Sequence, residues 1–221
     1  VNTGTKEFDY PEGEQNVYKN YEGSGGFPVE SLVRKALLAA RFNTFKILFS
    51  QDINNESRVL MYRNITERVL KVAPFLRLDS DPYLVVTEGK MKWLYDAYTV
   101  SDRFPYSQTI PRFGNYVRNS VKVVIDAYDG SMDFFISDPS DPIIQTWRKV
   151  FPKLFKELNE MSEDLRNHIR YPSDLFTIQA FIYATYHMKA PQVFYNKEDL
   201  WEIPEIDNKM MEPYYTIMKL P

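Results

Sequence analysis

Two stretches of the chain place an aspartate, an alanine and a tyrosine in the same order behind a lysine, KWLYDAY at 92–98 and KVVIDAY at 122–128. Carboxylates within reach of one another could divide acid and base duties in a hydrolase, or supply oxygen ligands to calcium. The residues after the second repeat supply partners. A two-residue turn at Asp129-Gly130 would set Tyr128 against Ser131 and, counting outward, Asp126 against Asp133. In the first repeat the same count from Thr87 against Lys90 sets Trp93 against Leu84, Met91 against Val86 and Asp96 against Asp81, although Asp81 precedes Pro82 at a strand boundary. Like charges directly opposite are destabilising, so each pair needs solvent, a nearby lysine, a shared proton or a bound cation. Asp126, Asp133 and Asp96 are thus the candidate catalytic residues, and Asp126 with Asp133 the candidate calcium ligands. Neither pattern is specific, and two equivalent pieces of sheet, with water and lysines relieving the repulsion, remain the favoured reading.

Other chemistry has little material. The chain has no cysteine and two histidines, so thiolate metal sites, cysteine nucleophiles and disulfides are excluded and zinc has no spaced ligand set. His187 ends an apolar run as a satisfied helix-terminal imidazole, and His168 reads as a surface residue. SDPSDP at 137–142 is turn and cap sequence, not a calcium loop, and GSGGF at 23–27 lacks a phosphate-loop lysine. No cofactor is expected. Aromatic residues are abundant, with 16 Tyr and 15 Phe, and the loops RFPYSQTIPRF and QVFYNKEDLW carry the candidate binding residues Phe104, Tyr106, Phe113, Phe194, Tyr195 and Trp201. A net charge of −3 provides no positive field for phosphate backbones, which argues against nucleic acid as a partner.

The elements that must position these residues follow from periodicity. Residues 1–28 mix Gly, Pro, Glu, Asn and Tyr without helical or strand period and read as an arm or linker. Helical spacing runs over 30–49, with a break expected near Asn43, and over 56–73, where Arg58, Arg63, Arg68 and Lys71 form a basic face. The period then changes to two, predicting hairpins around Glu88-Gly89 and Asp129-Gly130 joined by a long loop. The second hairpin should carry one wholly apolar face, including Val123 and Ile125, and one mixed face. Asp141-Pro142, Ser162 and Ser173 open three helices. The third, LFTIQAFIYATYHM, is apolar nearly all round and is predicted to be the buried central helix. YYTIMKLP at 214–221 reads as a strand. No run reaches the roughly 18 apolar residues of a spanning helix, and VNTGTKEFDY lacks signal-peptide features, so the chain reads as a soluble, excised piece.

The strings SRVLMYRNITERVLKVAPFLRLDSDPYLVV, NYVRNSVKVVIDAYDG, DPIIQTWRKVFPKLF, HIRYPSDLF and YHMKAPQVFYNKEDLW resemble uncharacterised protein family 182, large bacterial membrane proteins. The similarity runs from about Phe8 to Pro221, with Ser162 and Ser173 standing where Pro and Glu would be expected. The resemblance implies a piece of an extracytoplasmic region, attached to the cytoplasmic membrane through segments outside this sequence, and brings no catalytic residue or cofactor with it. The fold expected is α+β, an antiparallel sheet built from at least two β-hairpins and packed against several helices, with 29–221 as one domain that continues beyond Pro221. The function expected is interaction or ligand sensing, with a protein or envelope component as partner; the alternatives are an acid/base hydrolase of cell-envelope polymer using the paired aspartates and a calcium-stabilised structural domain.

Overall fold

In a computed structural model, which describes residues 1–216 and 218, the chain divides into two compact units. The first comprises Val1–Lys71 with Asp126–Ser131. It opens with an antiparallel hairpin of β1 (Glu7–Glu12) and β2 (Gln15–Lys19), inside the segment expected to lack regular structure. Both strands are almost wholly exposed, so they have no buried face to impose an alternating pattern on the sequence. After β3 (Phe27–Pro28), helix α1 (Leu32–Phe42) starts at Ser31, whose hydroxyl accepts from the Arg34 amide at 3.2 Å. It ends where Asn43 turns left-handed at φ 49°, as the break expected there requires, and α2 (Lys46–Phe49) follows.

The helix expected from 56 starts later. Arg58–Val59 form β4, paired with β3, and the Arg58 guanidinium donates to the carbonyls of Ser24, Gly25 and Gly26. Helix α3 (Ile65–Val72) begins only after Asn64, whose side chain accepts from the Glu67 amide at 3.1 Å. Arg68, on the same basic face, donates to the Gly130 carbonyl at 2.6 Å. Two of the four expected surface cations are therefore committed to holding loops.

The second unit comprises Val72–Ile125 with Met132–Pro221. Its sheet contains β5 (Arg77–Leu78), β6 (Tyr83–Thr87), β7 (Lys90–Ser101), β8 (Tyr116–Asp126) and β9 (Met132–Ile136). Helix α4 (Pro142–Val150) leads to β10 (Phe155–Glu157), which adds a parallel edge to β9, giving the order β10-β9-β8-β7-β5 with β6 also on β7. A 3₁₀ turn over Leu158–Glu160 precedes α5 (Glu163–Asn167), α6 (Ser173–Tyr186), α7 (Pro191–Asn196) and a small hairpin of β11 (Glu205–Ile206) and β12 (Lys209–Met210). The fold is α+β as the alternation of periods predicts. The strand expected over 214–221 falls partly on residues 217 and 219–221, which lie outside the described residues; Tyr214–Thr216 form no strand.

The first hairpin has the expected register, Thr87 against Lys90 and Leu84 against Trp93, but β6 starts at Tyr83, so Asp81 is outside it and does not face Asp96. The second differs. Val124, not Asp126, is opposite Asp133, because the turn spans four residues and not two. Asp126 makes that longer turn by itself: its carboxylate accepts from the amides of Tyr128 at 2.8 Å and Asp129 at 3.1 Å, and its carbonyl accepts from Gly130 at 2.9 Å. Gly130 sits at φ 72°, where a Cβ would also come within 2.8 Å of the Arg68 guanidinium.

The expected mixed face of this hairpin is covered as well. Val124 and Phe135 pack with Tyr83, Val85, Leu94, Met161 and Leu165, so the β8 core is buried on both sides. Phe75 stacks on Trp147 with ring centroids 3.9 Å apart, and Phe134 meets Phe155 edge-on at 6.3 Å. Asp141 joins sheet to helix. Wholly buried at the N-cap of α4, it accepts from the hydroxyls of Thr99 on β7, Ser120 and Tyr116 on β8, and from the Ile143 and Ile144 amides. Burial alone would raise its pKa, but the hydroxyl and amide donors outweigh it and hold the carboxyl below its ordinary value.

Asp141→Ala should therefore cost roughly 3 kcal/mol or more, the sum expected for a lost helix cap and several orphaned buried donors, read from the urea unfolding midpoint. Because the folded-state pKa is depressed, the stability difference between wild type and Asp141→Ala should be complete above the ordinary value of 3.8 and shrink as pH falls through the lower folded value. A difference that stays flat through the acid range would show that the carboxylate charge is not what holds the cap.

Candidate functional site

The paired-aspartate chemistry depends on geometry that the two hairpins do not make. Asp126 is engaged in its own turn. Asp133 lies half-exposed beside Lys156, with Nζ 2.6 Å from the carboxylate, an ion pair made possible by the parallel β10 edge. Asp96 is buried and takes Lys122 as its partner. The repeat is thereby explained in part: the lysine of the second copy neutralises the aspartate of the first across adjacent strands. Burial pushes the Asp96 carboxyl up, and the Lys122 ammonium and Asn119 side chain oppose that rise without cancelling it. Among the described residues no group of three or more His, Cys, Asp or Glu side chains is placed to hold a metal ion.

A third buried carboxylate, Asp79, was not singled out by its sequence context. It accepts from the Tyr98 hydroxyl, from the Asp81 amide at 2.9 Å and from the Asp174 amide at 3.0 Å. The Tyr98 oxygen in turn accepts from the Leu175 amide at 3.2 Å. Burial and the adjacent carboxylate push the Tyr98 phenol well above its ordinary pKa, so it remains a donor to Asp79. Ser173 opens α6 as expected, and Pro172 at the N-cap offers no side-chain acceptor. Asp79 and Tyr98 satisfy the first-turn amides from a distance of more than 70 residues in sequence, and the carboxylate complements the positive end of the helix.

That attachment is confined to the start of α6. Ile178 packs with Tyr98 and Phe113, and Leu175 lies against the same cluster. Beyond it no α6 residue is buried. The predicted buried central helix is thus an exposed one, apolar on faces that the described residues leave uncovered.

Between α6 and the segment 201–215 lies an open cleft of about 790 Å³. Its walls include Tyr171, Phe176 and Tyr183 from the α6 side and Trp201, Met211 and Tyr214 from the other; among the described residues Glu202 and Glu212 are the charged ones lining it. The far wall is held through Trp201, whose ring stacks on His187 at 4.1 Å and meets Tyr183 edge-on at 5.6 Å, while its amide donates to the Ala184 carbonyl at 3.2 Å. His187, at the C-cap of α6 as expected, contacts the Tyr183 carbonyl at 3.1 Å and Asp199 at 3.4 Å. His168 closes α5 beside the Asp164 carbonyl. A volume of this size, apolar walls and few charged groups are what a small-molecule or apolar chain site requires.

The six aromatic candidates separate. Trp201 lines the cleft. Phe113, expected on a binding loop, is buried in the core edge-on to Tyr98 at 5.4 Å, because the loop folds back beneath α6. Phe104 packs against Tyr116 at 5.7 Å in a loop pinned by both ends of the Asn115 amide, and Tyr106 is fully exposed. Phe194 packs on Tyr186 at 5.4 Å, whereas Tyr195 is exposed. The cleft brings in residues from 171 to 215 that no local spacing connects.

A family profile described as an uncharacterised protein family, UPF0182, matches residues 1–221. The chain is 59% identical over 222 residues to a UPF0182 protein of Pelobacter propionicus, 57% identical over 222 residues to one of Geotalea uraniireducens, and 56% identical over 225 residues to one of Pelotomaculum thermopropionicum. Each alignment takes in 100% of this chain and 25% of the relative, so the chain spans about a quarter of the length of the curated relatives it matches. No solved structure matches it.

The buried pair yields a direct test. Lys122→Met strands Asp96 without its cation and should destabilise the fold by about 3–5 kcal/mol, while the double variant Lys122→Met with Asp96→Leu should recover most of that loss. Equilibrium urea unfolding measures both; a double variant as unstable as the single one would mean that the pair is not the origin of the cost.

Proposed function

Because the chain belongs to the uncharacterised family UPF0182 and spans about a quarter of its relatives' length, we propose that it is a ligand-binding or interaction domain of a larger bacterial protein. The observation that carries this reading is the cleft beside α6. Its walls are mostly aromatic side chains, methionine, alanine and proline, and among the described residues the charged ones lining it are both acidic. A neutral or cationic apolar group therefore fits it, whereas an anionic one would meet the field of Glu202 and Glu212. The three buried aspartates support the same choice from the other side, since each is occupied in joining sheet to helix or strand to strand. The resemblance in the hairpin and helix strings supports an extracytoplasmic position, with the membrane reached through parts of the polypeptide outside these residues; among the described residues no helix is long and apolar enough to cross one.

Titration with the neutral apolar fluorophore N-phenyl-1-naphthylamine should show saturable binding, and Trp201→Ala should weaken it about tenfold or more, the scale of losing one large apolar contact worth roughly 1.5–3 kcal/mol. Absence of saturation, or equal binding by Trp201→Ala and Tyr183→Ala, would remove the cleft as the site. For location, a cysteine placed at exposed Lys189 in the full-length protein should react with a membrane-impermeant maleimide in intact spheroplasts. Reaction only after lysis would place the domain inside.

A further inference from the structure

Helix α6 carries a second surface that adjoins the cleft along Phe176, Ala180 and Tyr183. Phe181, Ile182 and Tyr186 are absent from the cleft walls and stand 59%, 38% and 60% exposed. Ile182 and Tyr186 line a shallow, mostly apolar groove with Phe176, Gln179, Ala180 and Tyr183. From Leu175 to Tyr186 the helix bears no charged side chain, and Thr177 and Gln179 are its exposed polar residues besides the tyrosines. A helix with so much exposed apolar surface is normally covered by protein or lipid.

Lipid fits poorly. The 14 residues of α6 span about 21 Å at 1.5 Å per residue, short of a bilayer core of about 30 Å. A helix that lies on a membrane surface needs a charged face turned to water, which the stretch after Asp174 lacks. A second copy fits poorly as well, because three side chains make a patch well below the roughly 800 Å² per partner of a stable standard interface. A tethered segment is different: linkage raises its effective concentration to about the millimolar range, so a small patch can hold it. The relatives carry about three-quarters of their length outside the region that this chain matches.

We propose that the Phe181, Ile182 and Tyr186 face of α6 is an intramolecular docking surface, covered in the full-length protein by the polypeptide outside these 221 residues. α6 is the element through which this domain is built into the larger molecule. Its N-terminal turns are locked to the sheet by Asp79 and Tyr98, and its outer face is left for the remainder of the chain. The residues probed for docking, Phe181, Ile182 and Tyr186, do not line the cleft, so the docking proposal and the ligand reading can fail separately.

The test uses the full-length protein with p-benzoylphenylalanine at Phe181 or Tyr186, replacements that keep an aromatic ring, and separately with cysteine at Ile182. Irradiation should crosslink the helix, within one polypeptide, to peptides outside residues 1–221, identified by mass spectrometry. Maleimide labelling of Ile182→Cys should be at least about tenfold slower in the native protein than in urea, as for a thiol reached only by local opening. Labelling as fast in the native protein as in urea, or crosslinks formed only within residues 1–221, only to a second copy or only to lipid, would overturn the proposal.

Discussion

A carboxylate withdrawn from water must be met by donors or a cation, and the second unit buries Asp79, Asp96 and Asp141. Each is met differently. Asp141 gathers three hydroxyls and two helix amides, fixing α4 to β7 and β8. Asp96 takes a lysine from the neighbouring strand. Asp79 takes a phenol and a first-turn amide of a distant helix. Together they set where two helices leave the sheet and hold two central strands together, and apolar packing of Val124, Phe135 and their neighbours then fills the space so defined.

The consequence for function lies in the asymmetry of α6. A helix whose first turn is satisfied by Asp79 and Tyr98 needs no packing along its length to be oriented. Its later turns are free to offer apolar surface in two directions, one closed into a cleft by the Trp201 segment and one open. In an isolated globular domain such exposure would favour association with anything apolar. The relatives are about four times as long as the region that this chain matches, so they hold further polypeptide that such a surface could contact.

The repeated Lys-x-x-x-Asp-Ala-Tyr strings show where local reasoning succeeds and fails. Period-two patterning located both hairpins, and the turn at Glu88-Gly89 fixed the first register correctly. At Asp129-Gly130 a favourable dipeptide suggested a two-residue turn, but Asp126 offers its carboxylate to the Tyr128 and Asp129 amides and so stabilises a longer one. A change of two residues moved Asp133 from an aspartate to Val124 while keeping it on the same face. The side-chain pattern alone could not reveal that shift, because a slip of two preserves the alternation.

Residue order by itself determined the α+β class, the end of α1 at Asn43, the Asp141-Pro142 start of α4 and the family, since helix caps, periodicity and long shared strings are all local signals. Only the tertiary structure decided the partners of the buried aspartates, the burial of Phe113 and the cleft at Trp201, because each joins residues distant in sequence. It also decided the exposure of α6. An apolar helix declares in its sequence that it must be covered, but whether its cover comes from the same domain or from elsewhere is a matter of where the other elements lie.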